Sequence, residues 1–414
     1  MSTDDRIKNK GYPTFLTQKI DDYNDRIMTD GQGHHLMRGR AASKDDVHIC
    51  SNDYLSLANH PQVIDEQISI LNQQSEYMLM SAVFLDDQNP QILLENQFAE
   101  FFGSKDGILC QSGYAANVGL IQTVVENTNA PVFIDLYAHM SLWDGIKMAD
   151  QTPIPFRHND VEHLRQLIMR HGPGLVVVDS VYSTNGSVCP LRELVPMAHG
   201  MGCTLLVDES HSLGTHGPQG RGMVVEYGFE DMVMFRTASL AKAFAGRAGL
   251  ILCPEGFADY FKCTSKPSIF SSTMLPYEVV GLQKTLELIK DADDRRAQLR
   301  QNTRFLQNHI SDLGYSIDDS QAQIIALESG PEWDTIRLRD ALESRGIFGS
   351  VFCAPATAKT RSLIRLSINS GLTEMQLHRV VRACREIVTE LDVPNWKSTK
   401  RKARAQAAGV RKIA

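Results

Sequence analysis

Three apolar runs, Val132–Ile134, Leu175–Val178 and Thr204–Val207, stand out along the chain, each bounded by turn residues or acids. A strand with one wetted face alternates polar and apolar positions. These runs do not, so they predict strands buried on both faces, in a mainly parallel sheet with helices on both sides. From about residue 61 to 290 such runs alternate with helical patterns, which predicts one large α/β domain. Residues 1–60 are mixed and polar and read as an N-terminal arm. A charged helical stretch from about Pro276 to Gly314, with its charges expected on a solvated face, leads into residues 291–393. Strand patterns at Ile324–Leu327 and Leu363–Ile368 and a helical pattern from about 373 make that part a smaller C-terminal α+β domain. Residues 394–414 read as a disordered basic tail, with seven Lys or Arg and no acid from Lys397 onward.

A length of 414 residues favours two domains over a single core. A hydrophobic fraction of 43%, a charged fraction of 22% and a net charge of -7 describe an ordinary soluble protein and argue against general nucleic-acid binding. Eight scattered cysteines without a Cys-x-x-Cys pair fit reduced thiols in a cytoplasm. No stretch has the length of a membrane span, and the polar, acidic start is no signal peptide, so a cytoplasmic location is expected.

Parallel sheets bind ligands beyond the carboxyl ends of their strands. Asp179, Asp208 and the segment Thr237–Lys242 fall there. A lysine after a buried strand, joined to an acid at the end of another, is what a Schiff-base cofactor such as pyridoxal 5'-phosphate (PLP) requires. The lysine, Lys242, bonds the aldehyde, and the acid, Asp208, keeps the pyridine nitrogen protonated. Taken alone, each residue has a plainer reading. Asp208 suits a helix N-cap. His211, three residues on, lies on the same side or simply packs. Ser112-Gly113-Tyr114 open a helix whose free amides suit a phosphate or only a cap. His139 stacks on an aromatic cofactor or sits as a hydrogen-bonded histidine. Arg365, inside an apolar strand pattern, holds a carboxylate of a substrate or pairs with an acid of the protein. The segment Gly214–Gly222 matches neither nucleotide motif and reads as a loop shielding the site. His211 and His216 lack the spacing of a metal pair, so no metal is expected.

In this order the elements resemble the α-oxoamine synthase family, PLP-dependent enzymes of fold type I. The resemblance covers about residues 45 to 392 and is carried by Ser51–Pro61, Ser112–Asn117, the Ala-His-x-Ser segment at His139, Asp208–Gly214 and Lys242. Within the family the chain is most similar to the autoinducer synthases that make long-chain α-aminoketones, in His139–Trp143, Gln166–Ser183, His211–Pro218 and Phe348–Cys353. The resemblance implies that Lys242 holds PLP and moves the Cα proton of an amino acid. It pairs Asp208 with the pyridine nitrogen and His211 with the phenolic oxygen, and stacks His139 on the ring. Ser112, Gly113 and Tyr114 would meet the phosphate, Ser183 and Ser239 the cofactor's surroundings, and Arg365 with Asn52 the amino-acid carboxylate. Ser271-Ser272-Thr273 resemble a segment that reaches a phosphate across a subunit interface, implying a homodimer with shared active sites. Two departures stand out: Ser239 where relatives often have Thr, and Asp179 where many have Glu.

The implied reaction joins an L-amino acid, of the 2-aminobutyrate or S-adenosylmethionine class, to a medium-chain fatty acyl-CoA. Coenzyme A and carbon dioxide leave, and an α-aminoketone precursor of an α-hydroxyketone signal remains. The alternatives are another synthase of the family, such as an amino-oxononanoate synthase or serine palmitoyltransferase, and a PLP-binding regulator using the basic tail on nucleic acid. Thiol release from acyl-CoA separates the enzymes from the regulator, and product mass separates the enzymes from one another.

Overall fold

The computed structural model describes residues 12–28, 33–73 and 80–400. Its strands are β1 (Val47–His48), β2 (Asp106–Cys110), β3 (Val132–Asp135), β4 (Pro153–Phe156), β5 (Leu175–Asp179), β6 (Thr204–Asp208), β7 (Phe235–Ser239), β8 (Gly249–Cys253), β9 (Ile324–Gly330), β10 (Ile347–Phe348), β11 (Ser350–Phe352) and β12 (Ser362–Ser367). Seven of them form the central sheet in the order β2-β8-β7-β6-β5-β3-β4. Only β8 runs against its neighbours. The predicted mainly parallel sheet is therefore what forms.

The absence of alternation in the apolar runs has the expected cause. Phe133, Val176, Val178, Leu205 and Val207 pack on one face, against Leu164, Ile168 and Leu194. Ile134, Leu175, Val177 and Leu206 pack on the other, against Leu120, Ile121 and Leu142. Both faces are dry, so every position is apolar until the strand ends. There β3, β5, β6 and β7 finish on Asp135, Asp179, Asp208 and Ser239. The acids of β3, β5 and β6 and the hydroxyl of Ser239 thus gather at the carboxyl ends of the strands.

The smaller sheet, β11-β12-β9, is antiparallel, and β1 from the N-terminal segment pairs with β10 beside it. The arm therefore joins the C-terminal part of the chain. The charged stretch is two helices, Pro276–Lys290 and Asp293–Asp312, and its charges are not all solvated. Arg296 is 1% exposed. Its Nη1 donates to the carbonyl of Ile289 at 2.8 Å, satisfying the end of the first helix, while its Nε donates to Asp293. A guanidinium that caps one helix from inside the next makes the break. Nor is the tail disordered from 394: Trp396 packs edge-on against Tyr315, and the Ser398 hydroxyl donates to the carbonyl of Glu328 at 2.7 Å. Residues 401–414 of the expected tail lie outside the described residues. No helix of the described residues is long and apolar enough to cross a membrane.

Beneath the sheet edge, Glu209 and Arg236 form a buried ion pair at 2.6 Å. The Glu209 carboxylate also accepts from the amide of Val224, and Arg236 donates to the carbonyls of Phe102 and Arg221. Removing one member leaves the other charge uncompensated in a dry site. Arg236→Met is expected to cost about 3–5 kcal/mol, measured as a lower unfolding midpoint in urea, with Leu→Ala changes in the core as the comparison.

Candidate active site

The strand ends open into a cavity of about 1020 Å³ between the two sheets. It is lined by Asn52, Ser112, Gly113, Tyr114, His139, Ser183, Asp208, His211, Ser239, Lys242 and Arg365, eleven of the fourteen residues predicted for the site. The other three, Ser271, Ser272 and Thr273, do not line it. They follow the helix Lys266–Ile269, where the Ser272 carbonyl accepts from Gln111 Nε2 and the Thr273 amide donates to Met80.

Asp208 is buried at the end of β6, and both its oxygens are fixed. Oδ2 accepts from Asn117 Nδ2 at 2.7 Å and Oδ1 from the Ser210 amide at 2.8 Å. Asp179 lies beside it in register on β5. Burial, then the charge of Asp208, drives the Asp179 carboxyl well above the usual carboxylate range. Its Oδ1 accepts from the backbone amide of His139 at 3.2 Å, which sets the start of the helix Met140–Met148. The neighbouring acids thus sit differently, Asp208 between a side-chain and a backbone donor and Asp179 on the backbone amide of His139.

Lys242 follows β7 in a turn closed by Ala245, whose φ of 50° is unusual for a residue with a side chain. Burial, then the charge of Arg365, lowers its pKa below the ordinary lysine value, against the pull of Asp208. An amine so placed is more easily freed of its proton. His211 shares a 2.6 Å hydrogen bond through Nδ1 with the Tyr54 hydroxyl. Burial, then Lys242 and Arg365, holds its imidazole well below the usual range, so it stands neutral. Tyr54→Phe removes the partner that orients this ring. Turnover is expected to fall roughly 2- to 10-fold, one neutral hydrogen bond's worth, with the fold intact by circular dichroism.

Ser112 caps the helix Gly113–Val125, its Oγ accepting from the Ala115 amide at 3.1 Å. The first amides of a helix have no partner within it and carry the positive end of its dipole. This terminus is pressed against β7: a Cβ at Gly113 would lie 2.6 Å from that of Ser239. Ser239 is held in turn by its amide, which donates to Ser210 Oγ at 2.7 Å. The Tyr114 side chain turns away and donates to Asp144 at 2.7 Å.

Arg365, on β12, is buried and makes no ion pair with an acid among the described residues. Its Nη1 donates to the Ser183 carbonyl and its Nη2 to Asn52 Oδ1, both at 2.8 Å, and its guanidinium lies 4.6 Å from the centre of the Phe352 ring. Its Nε is buried without a partner. Of the two readings open for this residue, a protein salt bridge is the one the structure overturns.

The glycine-rich loop does not shield the cavity. Gly214–Gly222 lies behind Glu209, where Gly222 leaves no room for a side chain beside its carboxylate. Sequence reasoning also passed over Asn117, Tyr54 and Ser210, which hold Asp208, His211 and Ser239. It missed a wall of the cavity in which Arg361 joins Glu328 at 2.9 Å and Tyr137 at 2.6 Å. Among the described residues no cluster of His, Cys, Asp or Glu is suited to a metal.

A buried acid, a part-buried lysine of lowered pKa, an amide-rich helix terminus and an unsatisfied arginine in one cavity fit PLP. Together with the sheet they define a PLP-dependent fold type I enzyme. The chain belongs to the aminotransferase class I and II family, which it matches over residues 44–384. It is 45% identical over 383 residues to the CAI-1 autoinducer synthase of Vibrio campbellii, covering 92% of this chain and 97% of that protein. It is 27% identical to the serine palmitoyltransferase of Caulobacter vibrioides, covering 87% of this chain and 90% of that one. Its fold is similar to that of the solved Sphingomonas wittichii serine palmitoyltransferase, with a TM-score of 0.83 at 24% identity over 92% of this chain and 98% of the other.

Proposed function

We propose that this protein is an autoinducer synthase of the α-oxoamine synthase type. It joins an L-amino acid to a medium-chain fatty acyl-CoA, releasing coenzyme A and carbon dioxide and leaving an α-aminoketone. The observation that carries the reading is the meeting of Lys242, Asp208 and Arg365 in one cavity. The 45% identity to a CAI-1 autoinducer synthase supports this branch over the serine palmitoyltransferases at 27%. PLP, when bound, supplies the electron sink that makes the Cα proton acidic.

The chain's own residues do the rest. Lys242 would anchor the cofactor and, as a free amine, would take the Cα proton, a task suited to its lowered pKa. Asp208 presents a fixed negative charge to the pyridine nitrogen, both oxygens held against rotation. His211 would pair with the phenolic oxygen and His139 would stack on the ring. The amides at Gly113 and Tyr114, with the Ser112 and Ser239 hydroxyls, would receive the phosphate. Arg365, braced by Asn52 and Ser183, takes the amino-acid carboxylate as a bidentate partner.

The active form is a cytoplasmic homodimer in which Ser271, Ser272 and Thr273 serve the partner's phosphate. Phe270, 83% exposed beside that segment, and Phe84, 64% exposed on the turn it packs against, provide an apolar surface for the second copy. Sedimentation at micromolar concentration checks the dimer.

The deciding experiment is a free-thiol assay over acyl-CoA chain lengths and amino acids, with product masses read out. The reading requires thiol release with a medium-chain donor and an α-aminoketone product. Release only with pimeloyl or palmitoyl thioesters would move the protein to a sister activity. In the same assay Arg365→Ala should raise the amino-acid KM roughly 10- to 150-fold, the worth of a charged hydrogen-bonded contact, with a smaller change in kcat. An unchanged KM would place the carboxylate elsewhere.

A further inference from the structure

Asn117, which holds Asp208, lines the cavity, and Ser141 is buried behind it between Asn117 and His139. Asn117 Nδ2 lies 2.7 Å from Asp208 Oδ2 and 2.9 Å from Ser141 Oγ. Ser141 Oγ lies 2.7 Å from His139 Nδ1, and the backbone amide of Ser141 donates to the same Nδ1 at 3.3 Å. The direction of every proton follows from these contacts. A carboxylate and a backbone N–H have fixed roles, acceptor and donor. The Ser141 amide therefore makes His139 Nδ1 an acceptor, without a proton of its own. The Ser141 hydroxyl then donates to Nδ1, which leaves its oxygen to accept from Asn117. Asn117 spends one amide proton on Ser141 and the other on Asp208. Its Oδ1 is buried without a partner. That orphan shows the amide is held by its two acceptors, since the flipped form would set Oδ1 against the Asp208 carboxylate.

We propose that Asn117 and Ser141 are positioning residues forming a hydrogen-bond relay that runs outward from Asn117, to Asp208 on one side and through Ser141 to His139 on the other, and that it locks His139 as its Nε2–H tautomer with that N–H directed into the cavity. The relay ties the ring that would cover one face of the cofactor to the carboxylate that would meet its nitrogen, so the two are set as one unit. Burial, then the charge of Lys242, keeps the His139 pKa below the ordinary histidine value against the pull of Asp208, which favours the neutral ring. This inference rests on the site assignment proposed above for His139 and Asp208, but its test does not use the reaction.

The full-length protein, with and without bound PLP, is prepared with nitrogen-labelled histidine, and the His139 signals are assigned by difference with His139→Gln. The expected result is an unprotonated Nδ1 and a protonated Nε2 in both forms. Ser141→Ala cuts the hydroxyl link while leaving Asn117 on Asp208. With only the backbone amide left on Nδ1, it should shift the Nδ1 signal toward that of a more weakly hydrogen-bonded ring nitrogen and lower kcat several-fold, with PLP affinity changed by no more than about twofold. Ser141→Thr, which restores a hydroxyl, should return the wild-type signals. Asn117→Ala removes both donations and should weaken PLP binding roughly 10- to 100-fold, as the loss of a hydrogen bond to a charged group implies. If a variant does not fold, as read by its thermal midpoint, the wild-type tautomer still decides. A protonated Nδ1 in the wild type, or signals unmoved in folded Ser141→Ala, overturns the relay. An Nε2–H tautomer with no thiol release from any acyl-CoA defeats the proposed activity and leaves the relay standing.

Discussion

Lys242→Ala will release no measurable thiol from acyl-CoA, a loss of about 1,000-fold or more, the scale of removing a positioned proton-transfer group. Two functions vanish together, the covalent anchor and the base, because both reside on one amine. The side chain lies in the cavity and makes no hydrogen bond on which the fold relies, so the variant should keep its wild-type unfolding midpoint. Two readouts separate the functions. Borohydride treatment will attach cofactor fluorescence permanently to the wild-type chain and leave none on the variant. Small alkylamines, which enter the space left by the side chain, should restore a fraction of the proton transfer. Turnover within about threefold of wild type would remove Lys242 from the mechanism and the proposed activity with it.

Asp208→Asn is expected to be nearly as severe. The substitution keeps shape and loses charge. Asn117 can still donate to the new amide oxygen, but the Ser210 amide then meets an NH2 group in place of Oδ1. The structural cost is one hydrogen bond in a part-buried turn. The chemical cost is the fixed negative charge that holds a proton on the pyridine nitrogen, and without it the ring draws electrons poorly. A fall in kcat of roughly 100- to 1,000-fold follows by comparison with other preorganised electrostatic contacts, together with weaker PLP binding in a fluorescence titration. Asp208→Glu, which keeps the charge but displaces it, should fall between the two. A neutral variant with more than about a third of wild-type turnover would mean that protonation of the ring nitrogen is not set from position 208.

Much of this site could be read along the chain because a parallel sheet delivers its strand ends to one edge. A buried run that stops on Asp208, and another that leads to Lys242, announce their location once both faces of the sheet are known to be dry. The helix terminus at Ser112–Tyr114 is legible for a similar reason, since a strand followed by a serine and a glycine sets free amides beside that edge. Arg365 was legible as an anomaly, a guanidinium within an apolar strand, but its partner was not. The loop Gly214–Gly222 was misplaced because its glycines describe turns and not directions. Those turns serve the buried Glu209–Arg236 pair behind the sheet. Arg296 was misjudged on composition. In a run of five charges among six residues nothing marks the one that turns inward to cap a neighbouring helix.

The order of residue types along this chain determined the kind of chemistry and the edge of the sheet on which it sits, because strand burial and helix starts are local properties. What holds each group in its working state was decided only by tertiary structure. Asn117 reaches Asp208 across 91 positions, Tyr54 reaches His211 across 157, and Asn52 reaches Arg365 across 313. Hydrogen bonds act over about 3 Å. No local pattern encodes which distant side chain will arrive within that reach, and the tautomer of a histidine or the rigidity of a carboxylate depends on nothing else.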